Sequence, residues 1–140
     1  MIFYEIKANY QRQTGEDNPG SVSETYLVEG ITPSDVEKRL LDEIKPLIFG
    51  DFEVPGIRKR NFFDIYPAES GADHWYEGKV EMITIEENGA EKRRAVNILV
   101  QADSVDAAVS SLKKNLGNYD SEIIGVKKSA IIDILRATED

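Results

Sequence analysis

Seven consecutive residues, Ile57-Arg58-Lys59-Arg60-Asn61-Phe62-Phe63, set three cations against two aromatic rings. That mixture suits single-stranded nucleic acid, where cations track phosphates and rings stack on bases at about 1–3 kcal/mol per base. Lys127 and Lys128 occupy the matching place later in the chain, and Lys92, Arg93 and Arg94 form a further basic run. Outward-facing Lys7 and Lys79 can extend such a surface. The candidate nucleic-acid-binding residues are therefore Arg58, Lys59, Arg60, Phe62, Lys127 and Lys128. A solvated edge strand, charged against aggregation, accounts for the same lysines and arginines.

Carboxylates supply the second pattern. Asp51 and Glu53 recur as Asp120 and Glu122. Residues i and i+2 on a strand point the same way, so each pair can clamp a hard divalent cation. The bland counterpart is a solvated strand entrance after a helix. His74 is the sole histidine and stands beside Trp75 and Tyr76. No nucleophile turn accompanies it, so no catalytic triad is expected. Glycine-rich phosphate loops are absent, as are helix-turn-helix and zinc-finger patterns, and no cofactor is implied.

These candidates hang on a chain written twice. Tyr4-Glu5-Ile6-Lys7 returns as Tyr76-Glu77-Gly78-Lys79, and Tyr26-Leu27-Val28-Glu29 returns as Ile98-Leu99-Val100-Gln101. Glu53-Val54-Pro55-Gly56-Ile57-Arg58-Lys59 matches Glu122-Ile123-Ile124-Gly125-Val126-Lys127-Lys128. Each half begins with an alternating strand, at residues 2–10 and 75–85, and a second strand follows at 22–29 and 95–102. A polar loop with Gly15, Asn18, Pro19 and Gly20 joins the first pair. Asn88-Gly89 turns the second hairpin.

A helix comes next in each half. Thr32-Pro33-Ser34-Asp35 offers a cap, a first-turn proline and a carboxylate, ahead of Val36, Leu40, Leu41 and Ile44 at helical spacing. Ser104 opens the counterpart, which carries Ala108, Val109, Leu112 and Leu116. Residues 52–66 and 121–135 then read as strand, bent or bulged at Gly56 and Gly125. Residues 129–136 fit either a strand or a short terminal helix. The expected fold is α+β: a duplicated β-β-α-β(β) unit forming one pseudo-twofold domain of antiparallel sheet and two helices. Its repeats span residues 1–66 and 74–140, joined by a linker at 67–73.

Composition limits the function classes. The net charge of −9 opposes non-specific attraction to phosphate or anionic lipid, so a nucleic-acid site must be a local patch. Charge is spread evenly, apart from a short acidic end at Glu139-Asp140. Without cysteine there is no disulfide, thiolate nucleophile or Cys-ligated zinc. No apolar run approaches the roughly 20 residues of a membrane span. The first residues lack the marks of a signal peptide, and a cytoplasmic protein is expected.

Six segments together resemble a known group: Tyr4-Glu5-x-Lys7, Tyr26-Leu27-Val28-Glu29, Ile48-x-Gly50-x-Phe52-x-Val54, Ile57-Arg58-Lys59, Trp75-Tyr76-x-x-Lys79-Val80 and Leu99-Val100-Gln101-Ala102. The chain is similar to an uncharacterised, domain-of-unknown-function family of small proteins from Bacteroidetes and their phages and mobile elements. That resemblance implies a bacterial or phage intracellular setting and transfers no activity. The function expected first is non-enzymatic binding of single-stranded nucleic acid, weakened by removal of charge at Arg58 and Arg60. The alternative is an accessory factor of a phage or mobile element that binds a host protein. A divalent-metal-dependent enzyme built on Asp51, Glu53, Asp120 and Glu122 stands third.

Overall fold

The computed structural model describes residues 2–12, 20–69 and 71–137. The loop residues Gly15, Asn18 and Pro19, the linker's Ser70 and the acidic end Glu139-Asp140 lie outside them. The fold is α+β, with eight strands and two helices among the described residues. In order these are β1 (Phe3–Arg12), β2 (Gly20–Glu29), α1 (Pro33–Ile44), a 3-10 turn (Lys45–Leu47), β3 (Ile48–Arg60), β4 (Asp64–Tyr66), β5 (His74–Ile85), β6 (Glu91–Ala102), α2 (Val105–Asn115), β7 (Ser121–Lys128) and β8 (Ile131–Leu135). They form two compact units: Met1–Asn61 with Ala130–Asp140, and Phe62–Ser129.

In the first unit the strand order is β3-β1-β2-β8. Central β1 runs antiparallel to β2 and β3, and β8 runs parallel to β2. The alternation of β1 decides its faces. Tyr4, Ile6, Ala8 and Tyr10 are buried in one cluster with Val36, Leu40 and Ile44 of α1. Those three helical residues recur every fourth position and so form one stripe. The Thr32 hydroxyl accepts a hydrogen bond from the Asp35 amide at 3.2 Å and starts the helix. Residues 131–135 are strand: Ile131, Ile132 and Ile134 are β-branched, and the segment pairs with Thr25–Val28 of β2.

The second unit has the order β7-β5-β6-β4, with β4 parallel to β6. Tyr76, Val80, Ile98 and Val100 form its core with Ala108, Leu112 and Leu116. The Ser104 hydroxyl caps α2 by accepting from the Ala107 amide at 3.1 Å. Where β1 carries Ile6, β5 carries Gly78, and a methyl group there would sit 2.7 Å from Leu112 Cδ1. The missing side chain lets α2 press its leucine onto the sheet. In the β5–β6 turn only Gly89 adopts a positive φ, of 85°, while Asn88 Oδ1 accepts from the Ala90 amide at 2.9 Å.

Both long strands are bulged beside the expected glycines. Lys7 pairs with Gly56 but Asn9 pairs with Glu53, which adds one residue to β3. Lys79 pairs with Gly125 but Val80 pairs with Ile123, which adds one to β7. A second irregularity in β3 lies between Phe52 and Phe49, and there Gly50 takes φ 84°.

Two measurements test this packing. Gly78→Val should lower stability by about 1–3 kcal/mol through overpacking against Leu112. Gly125→Val, with nothing within 4 Å of its added carbon, should change stability by less than about 0.5 kcal/mol. Thermal melts compare the two directly. A separate test concerns Tyr10 and Tyr26, whose hydroxyls both donate to Glu24. Burial, followed by the nearby Glu24 carboxylate, raises both phenol pKa values above 10. The folded state thus holds protons that the unfolded chain releases above pH 10. Its stability is complete below pH 10 and falls as pH rises further. A melting series should show that decline, and Tyr26→Phe should make it shallower.

Candidate nucleic-acid interface

The basic run ending β3 does not continue as one strand into its aromatics. β3 closes at Arg60, and Phe62 opens the second unit half-buried. The Phe63 amide donates to the Asn97 carbonyl at 2.8 Å, and its ring packs edge-on against Tyr119 at 5.6 Å. The six expected residues are therefore divided, with Arg58, Lys59 and Arg60 in one unit and Phe62, Lys127 and Lys128 in the other.

Register explains what each cation does. Glu5 lies opposite Arg58, and Phe3 opposite Arg60, on the sheet face turned away from α1. Glu5 bridges both arginines, at 3.2 Å to Arg58 and 2.6 Å to Arg60. Arg60 retains only 12% side-chain exposure. Lys59 and Lys128 stand opposite Tyr4 and Tyr76, so they belong to the helix side of their edge strands. Arg93 is held by three carboxylates: Glu122 at 2.7 Å, Glu91 at 3.2 Å and Glu81 at 3.7 Å. Hydrogen bonds to Glu122 and Glu91 raise its pKa further.

The carboxylate pairs part company. Glu122 is committed to Arg93, and Asp120 precedes β7, its carbonyl accepting from the Ile83 amide at 2.9 Å. Asp51 and Glu53 line a hollow of about 430 Å³ with Asn9, Gln11, Ser21 and Ser23. No group of three or more histidine, cysteine, aspartate or glutamate side chains suits a metal among the described residues. His74 opens β5 opposite Ala102, and its neighbour Trp75 is buried.

One arrangement brings polar groups together on an open sheet face. On the second unit's sheet, Glu77, Lys79, Asn97, Gly125 and Lys127, on the face turned away from α2, surround a hollow of about 350 Å³ that Val126 also borders. Gly125 sits directly across from Lys79, and Asn97 across from Lys79 on the other side. Lys127 is two residues along β7 from Gly125, opposite Glu77. Both lysines are exposed, and neither forms an ion pair with a described residue. Nothing stands within 4 Å above Gly125, so the bulge leaves a floor without a side chain between two ammonium groups.

The first unit has the same positions in Glu5, Lys7, Thr25, Gly56 and Arg58. There Arg60, whose mate in the second unit is Ser129, adds a second guanidinium to the Glu5 carboxylate. Among the expected residues only Lys127 belongs to the hollow. Lys79 flanks the expected surface, and Asn97 has no signal in the sequence, because a lone asparagine in a strand gives none.

Residues 2–137 match the family described as a domain of unknown function, DUF4494. The chain belongs to that family. Comparison with curated proteins gave no match. No helix among the described residues is long and apolar enough to cross a membrane.

Proposed function

We propose that this DUF4494 protein is a non-enzymatic binder of single-stranded nucleic acid, working in a bacterial or phage-infected cytoplasm. The hollow over Gly125 serves as its phosphate site. The observation that carries this reading is Lys79 and Lys127, which form no ion pair with a described residue, flanking an open glycine floor. An ammonium already bridged to a carboxylate has little attraction left for a phosphate, which sets Arg58, Arg60 and Arg93 aside. A free ammonium on an acidic body does attract it, at short range and with steep dependence on salt. The overall charge of −9 keeps indiscriminate association weak and leaves affinity to the local site.

Fluorescence anisotropy with a labelled single-stranded oligonucleotide at low salt tests the reading. Binding is expected to weaken with salt, and Lys79→Ala or Lys127→Ala should each reduce the logarithmic salt slope by about 0.7. Gly125→Val fills the floor without changing charge and should also weaken binding. Arg58→Ala should have the smaller effect. Absence of binding to any single-stranded probe would reject the reading. The protein-partner alternative would then lead, on the edge strand β7 where Ile124 is 48% exposed.

A further inference from the structure

The hollow has a second polarity that a phosphate alone does not use. Asn97 is half-buried in β6, and its side-chain amide forms no hydrogen bond to a described residue. Its backbone carbonyl is occupied by the Phe63 amide at 2.8 Å, which ties the strand down at this point. The side chain is thus a positioned donor and acceptor pair at the wall of a cavity.

Distance relates the amide to the lysines. Gly125, Lys79 and Asn97 are neighbours across β7, β5 and β6. Floor and amide are therefore two inter-strand spacings apart, about 10 Å. That span suits a phosphate at one end and a base edge at the other, with the Lys79 methylene stem between them as an apolar bed. The cavity volume of about 350 Å³ falls within the range of small-ligand sites.

One feature selects among bases. An asparagine amide matches adenine bidentately, donating to a ring nitrogen and accepting from the exocyclic amine. In the first unit the position of Asn97 is held by Thr25, opposite Lys7, and a hydroxyl cannot make that two-pronged contact.

We propose that the hollow takes one nucleotide of a strand, with its phosphate over Gly125 between Lys79 and Lys127 and an adenine edge on the Asn97 amide. This rests on the reading of the hollow as a nucleic-acid site. The test is competition anisotropy with short oligo(dA) and oligo(dT) at one salt concentration. Oligo(dA) is expected to bind the parent protein about fivefold or more tightly than oligo(dT). Asn97→Thr, which installs the first unit's residue, should abolish that preference by weakening oligo(dA) binding more than oligo(dT) binding. Asn97→Ser, run beside it, must give the same result. Equal binding of both oligonucleotides by the parent, or a preference surviving both substitutions, overturns the inference and leaves the phosphate site standing. Failure of every oligonucleotide to bind rejects the underlying reading instead.

Discussion

Burial of one helix stripe against one face of a central strand is the constraint from which the rest of each unit follows. Val36, Leu40 and Ile44 cover Tyr4, Ile6, Ala8 and Tyr10, while Ala108 and Leu112 cover Tyr76 and Val80. Because strand side chains alternate, that choice sends Glu5 and Lys7, and Glu77 and Lys79, to the opposite face. A one-residue slip would reverse both faces, so the apolar stripe also fixes where the charges stand. The bulges beside Gly56 and Gly125 then set which residues of the edge strand meet them. Site chemistry is in this sense a by-product of core packing.

Positions that share a place in the two sheets carry different electrostatics. In the first unit Arg58 and Arg60 close on Glu5, so two cations satisfy one carboxylate and each other's repulsion is screened. Loss of a partner from such a pair leaves a charge unsatisfied at partial burial, which favours keeping it closed. In the second unit Lys127 stands opposite Glu77 as Arg58 stands opposite Glu5, and Ser129 follows two residues later where the first unit has Arg60. A lysine lacks the planar fork that locks onto a carboxylate, and its ammonium remains available. Two residue differences at the ends of the edge strands thus separate a structural ion pair from a candidate binding site.

Much of the fold was legible in the residues. Alternation in β1 and β5, the Thr32 and Ser104 caps, the helix stripes and the bulge-marking glycines all carry local physical signals. The short strands β4 and β8 were harder, because three to five residues have no periodicity of their own, and long-range parallel pairing decides them. The second irregularity at Phe49–Phe52 gave no warning beyond Gly50. At the site, the cations were visible but their partners were not. Glu5 meets Arg58 only once β1 and β3 are in register, across a bulge whose position determines the match. A basic run in sequence therefore overstated the positive surface, and Lys79, alone between Gly78 and Val80, understated it.

The central claim is that anion binding belongs to one unit and not to its counterpart. Backbone amide shifts followed by NMR during titration with a single-stranded oligonucleotide address it most directly. Saturable shifts at Lys79, Gly125 and Lys127, with Lys7, Gly56 and Arg58 unmoved, are the expected result. Equal shifts at both sets of positions, or shifts confined to the first unit, would contradict it.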